Sequence, residues 1–115
     1  TRSHCDWSSD VCRLLIFTEN GCSYGDGPNS KGEINDIRRI EYYRSHLKEL
    51  KRAIEDDAPC RGYFAWSLMD NFEWGQGFSQ RFGLVWVDFE TLERIPKDSY
   101  YWYKKFISTN GSDED

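Results

Sequence analysis

The spacing of apolar and polar residues predicts two buried strands joined by a helix. Residues 14–18 and 62–66 are short apolar runs without alternation, which is typical of strands covered on both faces. Residues 35–57 carry apolar side chains at intervals of three and four, the pattern of an amphipathic helix. Asn35 or Asp36 can cap its start, and Pro59 prevents its continuation. Its predicted apolar face consists of Ile40, Tyr43, Leu47, Leu50 and Ile54.

The rest of the chain completes a repeated order of strand, loop and helix. The predicted segments are a loop over residues 21–32, a loop over 67–81, a hairpin of strands 82–89 and 92–95, a helix from Pro96 to about residue 107, and a polar tail. Two buried strands, each followed by a helix, indicate an α/β fold built from parallel βα units. Two such units leave strand edges and apolar faces open, so we expect further strands and helices to cover them.

Composition and charge exclude several kinds of partner. The chain has 15 basic and 20 acidic residues, a net charge of −5, which argues against nucleic acid and anionic membranes. No apolar run approaches the roughly 20 residues of a membrane helix. The four cysteines match no metal-ligand spacing, so free thiols are expected and the compartment stays open. No glycine-rich phosphate loop is present, and neither a cofactor nor a metal is predicted.

Candidate chemistry concentrates where the two strands end. Glu19 follows the first apolar run and Trp66 ends the second, and the carboxyl ends of parallel strands meet at one edge. A glutamate there can act as nucleophile or base, although an exposed loop residue is the simpler interpretation. A tryptophan there can stack on a sugar or a base, or pack in the core. Residues 70–75 add carboxylates, an amide and aromatic faces, which suit a neutral polar ligand such as a sugar.

These residues resemble the two signatures of glycoside hydrolase family 1. Thr18-Glu19-Asn20-Gly21 resembles the nucleophile motif of that family, and residues 63–74, Tyr-Phe-Ala-Trp-Ser-Leu-Met-Asp-Asn-Phe-Glu-Trp, resemble its second signature. Residues 77–78, 81–85 and 96–99 and the aromatic last helix continue the similarity, which runs from about residue 14 to residue 108. The resemblance implies the last two βα units of a TIM (β/α)8 barrel, incomplete in this chain because the preceding units are missing.

The resemblance also implies a role for five residues. Glu19 matches the catalytic nucleophile, and Trp66 matches the platform beneath the sugar. Glu73 matches the carboxylate that binds hydroxyls on the far side of that sugar, and Trp74 matches an indole that donates to a neighbouring hydroxyl. Phe82 matches an aromatic wall. The acid/base glutamate of the family lies in an Asn-Glu-Pro motif, which does not occur in this sequence, so the isolated chain is expected to be inactive.

The expected function is therefore a retaining β-glucosidase acting on β-glycosides. Phospho-β-glycosidases of the family usually carry serine where this chain has Glu73, whose charge would repel a phosphate, so an unphosphorylated glucoside or similar hexoside is expected. The alternatives are an inactive sugar-binding protein and a truncated product without a stable fold. Residues 1–12 are expected to be a non-native leader, since residues 6–12 read like a translated sequencing adapter. Residues 13–108 then form the barrel part, and 109–115 an acidic tail.

Overall fold

The computed structural model describes residues 14–112, whose helices and strands follow the predicted order. The proposed leader over residues 1–12 lies outside the described residues. The elements are β1 (Leu15–Asn20), α1 (Ile37–Glu55), β2 (Cys60–Ala65), a short 3-10 helix (Trp74–Gln76), β3 (Val85–Val87), β4 (Arg94–Pro96) and α2 (Asp98–Thr109). Within this range, neither helix combines the length and apolar character needed to cross a membrane.

Strands β1 and β2 are parallel neighbours, as predicted, with α1 as the crossover between them. Phe17 pairs with Tyr63, and Asn20 pairs with Ala65. One residue further on, the Trp66 N–H donates a hydrogen bond of 2.7 Å to the Asn20 carbonyl oxygen. The chain therefore leaves both strands at the same edge, the place where βα folds gather their reacting groups.

Helix α1 buries most of its predicted apolar face. Tyr43 and Leu47 form the core with Leu84, and aromatic side chains of α2 pack against this group. Ile54 is a correction: it is 45% exposed because it lines an open groove between α1 and the end of α2. Asp36 occupies the N-cap position, but its carboxylate does not cap the helix. It is used in a contact with α2 described below.

The prediction that β1 is covered on both faces is wrong for the described residues. Leu15, Ile16 and Phe17 are 47%, 55% and 45% exposed, and Phe64 of β2 is 61% exposed. The described parallel sheet has two strands and does not close into a barrel. The βα pattern predicted that two units could not cover these faces by themselves.

Candidate active site

The end of β1 is fixed by the residue after Glu19. Glu19 itself is exposed. The Asn20 side chain accepts a hydrogen bond of 2.6 Å from the Tyr63 hydroxyl and donates one of 3.1 Å to the Tyr42 hydroxyl. Burial raises the pKa of Tyr63, which further favours the neutral hydroxyl that donates this bond. Asn20 thus fixes the position of this strand end, a role that its place in the sequence motif did not predict.

The chain passes directly against Trp66 immediately after β1. A Cβ added to Gly21 would lie 1.8 Å from the Trp66 carbonyl oxygen, so no larger residue fits there without displacement. The Tyr43 hydroxyl donates to that same oxygen at 3.0 Å. The peptide bond between Trp66 and Ser67 is cis. Helix α1 and both strand ends therefore meet at one backbone carbonyl.

Two of the residues predicted to bind sugar are in direct contact. The Trp66 indole N–H donates a hydrogen bond of 2.8 Å to Glu73 Oε2. The Glu73 backbone N–H donates to the Gly77 carbonyl at 2.7 Å, which closes a tight turn around the short 3-10 helix. Trp66 and Glu73, the predicted platform and hydroxyl-binding carboxylate, thus form one unit, although they belong to different segments.

The other two predicted residues flank this unit. Trp74 is 87% exposed and meets the Phe72 ring edge to face, with 6.5 Å between ring centroids. Phe82 is half-buried, and its carbonyl oxygen accepts a hydrogen bond of 3.1 Å from the Ser67 N–H. The structure therefore places Phe82 beside the residue that follows Trp66, while Trp74 lies at the open surface of its loop.

An aromatic wall surrounds a cavity next to Trp66. The ring centroids of Phe72 and Phe78 are 5.4 Å apart, and those of Phe78 and Phe89 are 4.6 Å apart. These rings and Trp66 line a cavity of about 440 Å³. Flat apolar walls with a few polar groups suit the C–H faces of a sugar ring. Phe78 and Phe89 are wall residues that motif reasoning had not singled out.

Asp70 is a correction to the sequence interpretation of this loop. It lines the cavity next to Trp66, but its side chain is 0% exposed, and its carboxylate is occupied by protein donors. Its carboxylate accepts hydrogen bonds from the Gly83 N–H at 2.9 Å, from Arg81 at 2.7 Å and from Lys97 at 3.1 Å. Its donors lie 11 to 27 residues away, so no local pattern could reveal them.

The same charge network continues beneath the loop after β1. Lys97 Nζ lies 3.1 Å from Asp26 Oδ1, and the Arg39 guanidinium contacts Asp26 at 2.5 Å and Asp36 at 2.6 Å. Burial lowers the pKa of Arg39, but its hydrogen bonds and the charges of Asp26 and Asp36 outweigh burial and raise it. Asp36 also accepts a bond of 2.5 Å from the Ser99 hydroxyl. The network thus ties both loops at the site to α1 and α2.

Neither metal chemistry nor disulfide formation is indicated by the described residues. In residues 14–112, no group of three or more metal-ligating side chains comes together. Cys22 and Cys60, the cysteines in that range, are free thiols, as predicted. Burial raises the pKa of the Cys22 thiol, which favours its neutral form.

Comparison with known proteins assigns the family. The model of glycosyl hydrolase family 1 matches residues 10–112. The chain belongs to glycosyl hydrolase family 1. It is 51% identical over 97 residues to a 1,4-beta-D-glucan glucohydrolase of Thermotoga neapolitana, covering 84% of this chain and 22% of that protein. It is 45% identical over 100 residues to beta-glucosidase A of Thermotoga maritima, covering 87% of this chain and 22% of the relative.

Solved structures of this glycosyl hydrolase family 1 likewise match the fold. A family 1 β-glucosidase from Thermotoga maritima superposes with a TM-score of 0.85 at 43% identity, covering 90% of this chain and 24% of that one. The same enzyme in complex with deoxynojirimycin gives the same score, identity and coverage. The chain therefore spans about a fifth to a quarter of the length of the relatives it matches. Its βα units are part of a TIM-barrel fold.

Proposed function

We propose that this chain supplies the nucleophile and the sugar-binding wall of a retaining β-glucosidase. The observation that carries the proposal is the placement of the nucleophile motif of the family. Glu19 lies near the carboxyl end of β1. This strand pairs in parallel with β2, and Trp66 is the residue directly after β2. One relative is named a 1,4-beta-D-glucan glucohydrolase and the other beta-glucosidase A, and the remaining four fifths of such a barrel would supply the acid/base carboxyl group.

In this proposal Glu19 attacks the anomeric carbon of a β-glucoside. The glycosidic bond breaks, the acid/base group protonates the departing oxygen, and a glycosyl ester forms on Glu19. The same group then takes a proton from water, whose oxygen attacks the anomeric carbon and releases Glu19. The two carboxyl groups must lie about 5–5.5 Å apart for this double displacement. Two inversions return the β-configuration.

Trp66 and Glu73 hold the sugar for this attack. The indole face of Trp66 stacks on the C–H face of the ring, while its N–H stays on Glu73 Oε2. A carboxylate accepts several hydrogen bonds, so Glu73 keeps capacity for sugar hydroxyls while it fixes the platform. Its negative charge opposes a phosphorylated sugar, which supports an unphosphorylated glucoside or similar hexoside as substrate.

A chimeric enzyme tests this function directly. Residues 14–112 replace the matching segment of Thermotoga maritima beta-glucosidase A, whose fold over that segment is nearly the same. The chimera is expected to hydrolyse an aryl β-glucoside. Glu19→Gln should lower kcat roughly 10³-fold or more, because the covalent step is lost. Glu90→Gln, an exposed acid in the β3–β4 turn, is the matched control and should keep full activity.

Covalent labelling identifies the attacking atom. A 2-fluoro-β-glucoside with a good leaving group should add one glycosyl mass to the peptide that contains Glu19, and circular dichroism should show that Glu19→Gln is folded. Undiminished turnover of Glu19→Gln, or a label on another carboxylate, would refute the assignment. A folded chimera that binds deoxynojirimycin without turnover would favour the inactive sugar-binding alternative.

A further inference from the structure

The loop that carries Glu73 and Trp74 begins and ends at one ion pair. Asp70 precedes the loop, Arg81 follows it, and Arg81 contacts Asp70 Oδ2 at 2.7 Å. The same Arg81 nitrogen donates to the Val87 carbonyl at 2.8 Å. This ion pair closes the base of residues 71–80. The segment is also held by hydrogen bonds from the Ser23 hydroxyl to Gln80 at 2.5 Å and from the Trp66 indole to Glu73 at 2.8 Å.

Asp70 also fixes the segment that follows the loop. Its Oδ1 accepts from the Gly83 N–H at 2.9 Å, and its Oδ2 accepts from the Val87 N–H at 3.4 Å. Its own backbone N–H donates to the Val85 carbonyl at 3.0 Å. One buried carboxylate thus holds Phe82 and its neighbours against the loop base. Hydrogen bonds between a carboxylate and charged donors are stronger than hydrogen bonds between two neutral groups.

The charge of Asp70 is balanced by Lys97 as well as by Arg81. Lys97, which is 0% exposed, lies 3.1 Å from Asp70 Oδ1 and 3.1 Å from Asp26 Oδ1. The loop base is thus anchored at a fixed point of the scaffold, one residue before α2 begins. Rigid support of this kind controls how well a binding group is pre-organised.

We propose that Asp70 is a positioning residue that acts through Glu73 to set how strongly the site binds the glycone. Asp70 makes no contact with the sugar. It holds both ends of the loop so that Glu73 meets the Trp66 indole and the sugar hydroxyls at the same time. This inference rests on the proposed function and adds to it the group that determines the geometry of the hydroxyl-binding carboxylate.

A double-mutant cycle in the chimeric enzyme tests the inference. The four proteins are the chimera, Asp70→Asn, Glu73→Gln and the double variant, with Glu90→Gln as a matched acid-to-amide control outside the network. Asp70→Asn should lower kcat/KM for an aryl β-glucoside roughly 10- to 100-fold when Glu73 is present. With Gln at position 73 the same substitution should cost no more than about 3-fold, because the group it positions has gone.

A substrate comparison gives a readout that simple destabilisation does not change. A β-xyloside lacks the hydroxymethyl arm of glucose, so it offers fewer far-side hydroxyls to a displaced Glu73. Asp70→Asn should therefore reduce kcat/KM less for the xyloside than for the glucoside. Equal losses on both substrates, or equal losses in both Glu73 backgrounds, would overturn the inference and leave Asp70 with a purely structural role.

Two further measurements keep the test decisive. If Asp70→Asn does not fold, Asp70→Glu takes its place in the cycle, since it retains the charge and displaces the oxygens by one methylene. If the unmodified chimera binds sugar without turnover, the proposed catalytic function is refuted, but the inference about Asp70 can still be tested. The affinity of each of the four proteins for deoxynojirimycin is then measured by calorimetry. Coupling between positions 70 and 73 in that affinity supports the inference, and additivity contradicts it.

Discussion

Two glycines bring backbone segments at the site closer together than side chains allow. A Cβ at Gly83 would lie 2.2 Å from the Asp70 backbone nitrogen, and one at Gly21 would lie 1.8 Å from the Trp66 carbonyl oxygen. Backbone atoms cannot rotate away as the end of a flexible side chain can. Glycine is therefore required both at the base of the loop, at position 83, and where the two strands end, at position 21.

We predict that Gly83→Ala destabilises the chimeric enzyme, whereas Gly25→Ala does not. Overpacking of this kind costs about 1–3 kcal/mol. A Cβ at Gly25 meets nothing within 4 Å, so its replacement should leave the melting temperature nearly unchanged. Thermal unfolding followed by circular dichroism measures both variants. Equal melting temperatures for the two variants would contradict the packing at Gly83.

Two tyrosines, the buried Tyr43 and the half-buried Tyr63, predict a loss of stability at high pH. Burial raises the pKa of Tyr43 and of Tyr63 above that of an exposed phenol. Because the folded state favours the neutral phenols, their contribution is complete below about pH 10, where unfolded tyrosine begins to ionise. It is then lost as the pH rises towards the folded-state pKa values.

The Tyr43→Phe chimera should lose less stability between pH 9 and 11 than the parent chimera. At neutral pH it should be destabilised by about 1 kcal/mol, because the hydrogen bond to the Trp66 carbonyl is lost. Melting temperatures across this pH range measure both effects. Tyr101→Phe, at a position that is 57% exposed, is the control. Parallel pH profiles for Tyr43→Phe and the parent would contradict the prediction.

At the scale of helices and strands, the local residue pattern predicted which elements exist and in what order better than it predicted where each one begins and ends. The period of three and four in α1 identified the buried Ile40, Tyr43 and Leu47, but it could not identify Arg39, which is 0% exposed. Its partners include Asp26, 13 residues earlier in a loop. Burial of a charge is decided by such distant partners, not by helical periodicity.

The hairpin shows a second limit of local pattern. Strands were predicted over residues 82–89 and 92–95, whereas β3 and β4 cover only Val85–Val87 and Arg94–Pro96. The Phe82 carbonyl and the Leu84 N–H bond to Ser67 instead of pairing across the hairpin, and within residues 82–84 the Leu84 carbonyl alone accepts from the opposite segment, from the Lys97 N–H at 2.9 Å. The neighbourhood of Trp66 and Phe82 is thus created by a pairing that residue alternation could not reveal. The adjacency of Glu19 and Trp66, by contrast, followed from parallel strands alone.

The starts of the two helices are joined by a bond that can be tested separately. The Ser99 hydroxyl donates to Asp36 at 2.5 Å in a fully buried position. We predict that Ser99→Ala lowers the stability of the chimera by about 1.5–3 kcal/mol, the usual worth of a hydrogen bond to a charged group. Ser108→Ala, an exposed serine later in α2, is the control. Similar melting temperatures for both variants would show that Asp36 does not need this partner.

For the whole molecule, exposed apolar surface outweighs the core. Among residues 14–112, seven apolar side chains are buried, while those of β1 are about half exposed. Large contiguous apolar surface is typical of an interface with further structure. We predict that the isolated chain shows a broad, non-cooperative thermal transition of small amplitude, and that it binds a hydrophobic dye. The chimera should show one sharp transition without dye binding, as scanning calorimetry and dye fluorescence can measure. A sharp transition of the isolated chain without dye binding would contradict this.

The buried charge network has a consequence for how this polypeptide is made. Asp36 meets Ser99 across 63 residues, and Asp70 meets Lys97 across 27. A ribosome releases Asp26, Asp36 and Asp70 before their partners Lys97 and Ser99, which lie just before α2 and at its start. Arg39 and Arg81 are made earlier, but the network stays incomplete until Lys97 and Ser99 emerge, so we expect both loops to become fixed only then. The residues predicted to bind sugar are therefore expected to reach their final positions only after Lys97 and Ser99 have emerged, and both loops are expected to be accessible to proteases and chaperones until then.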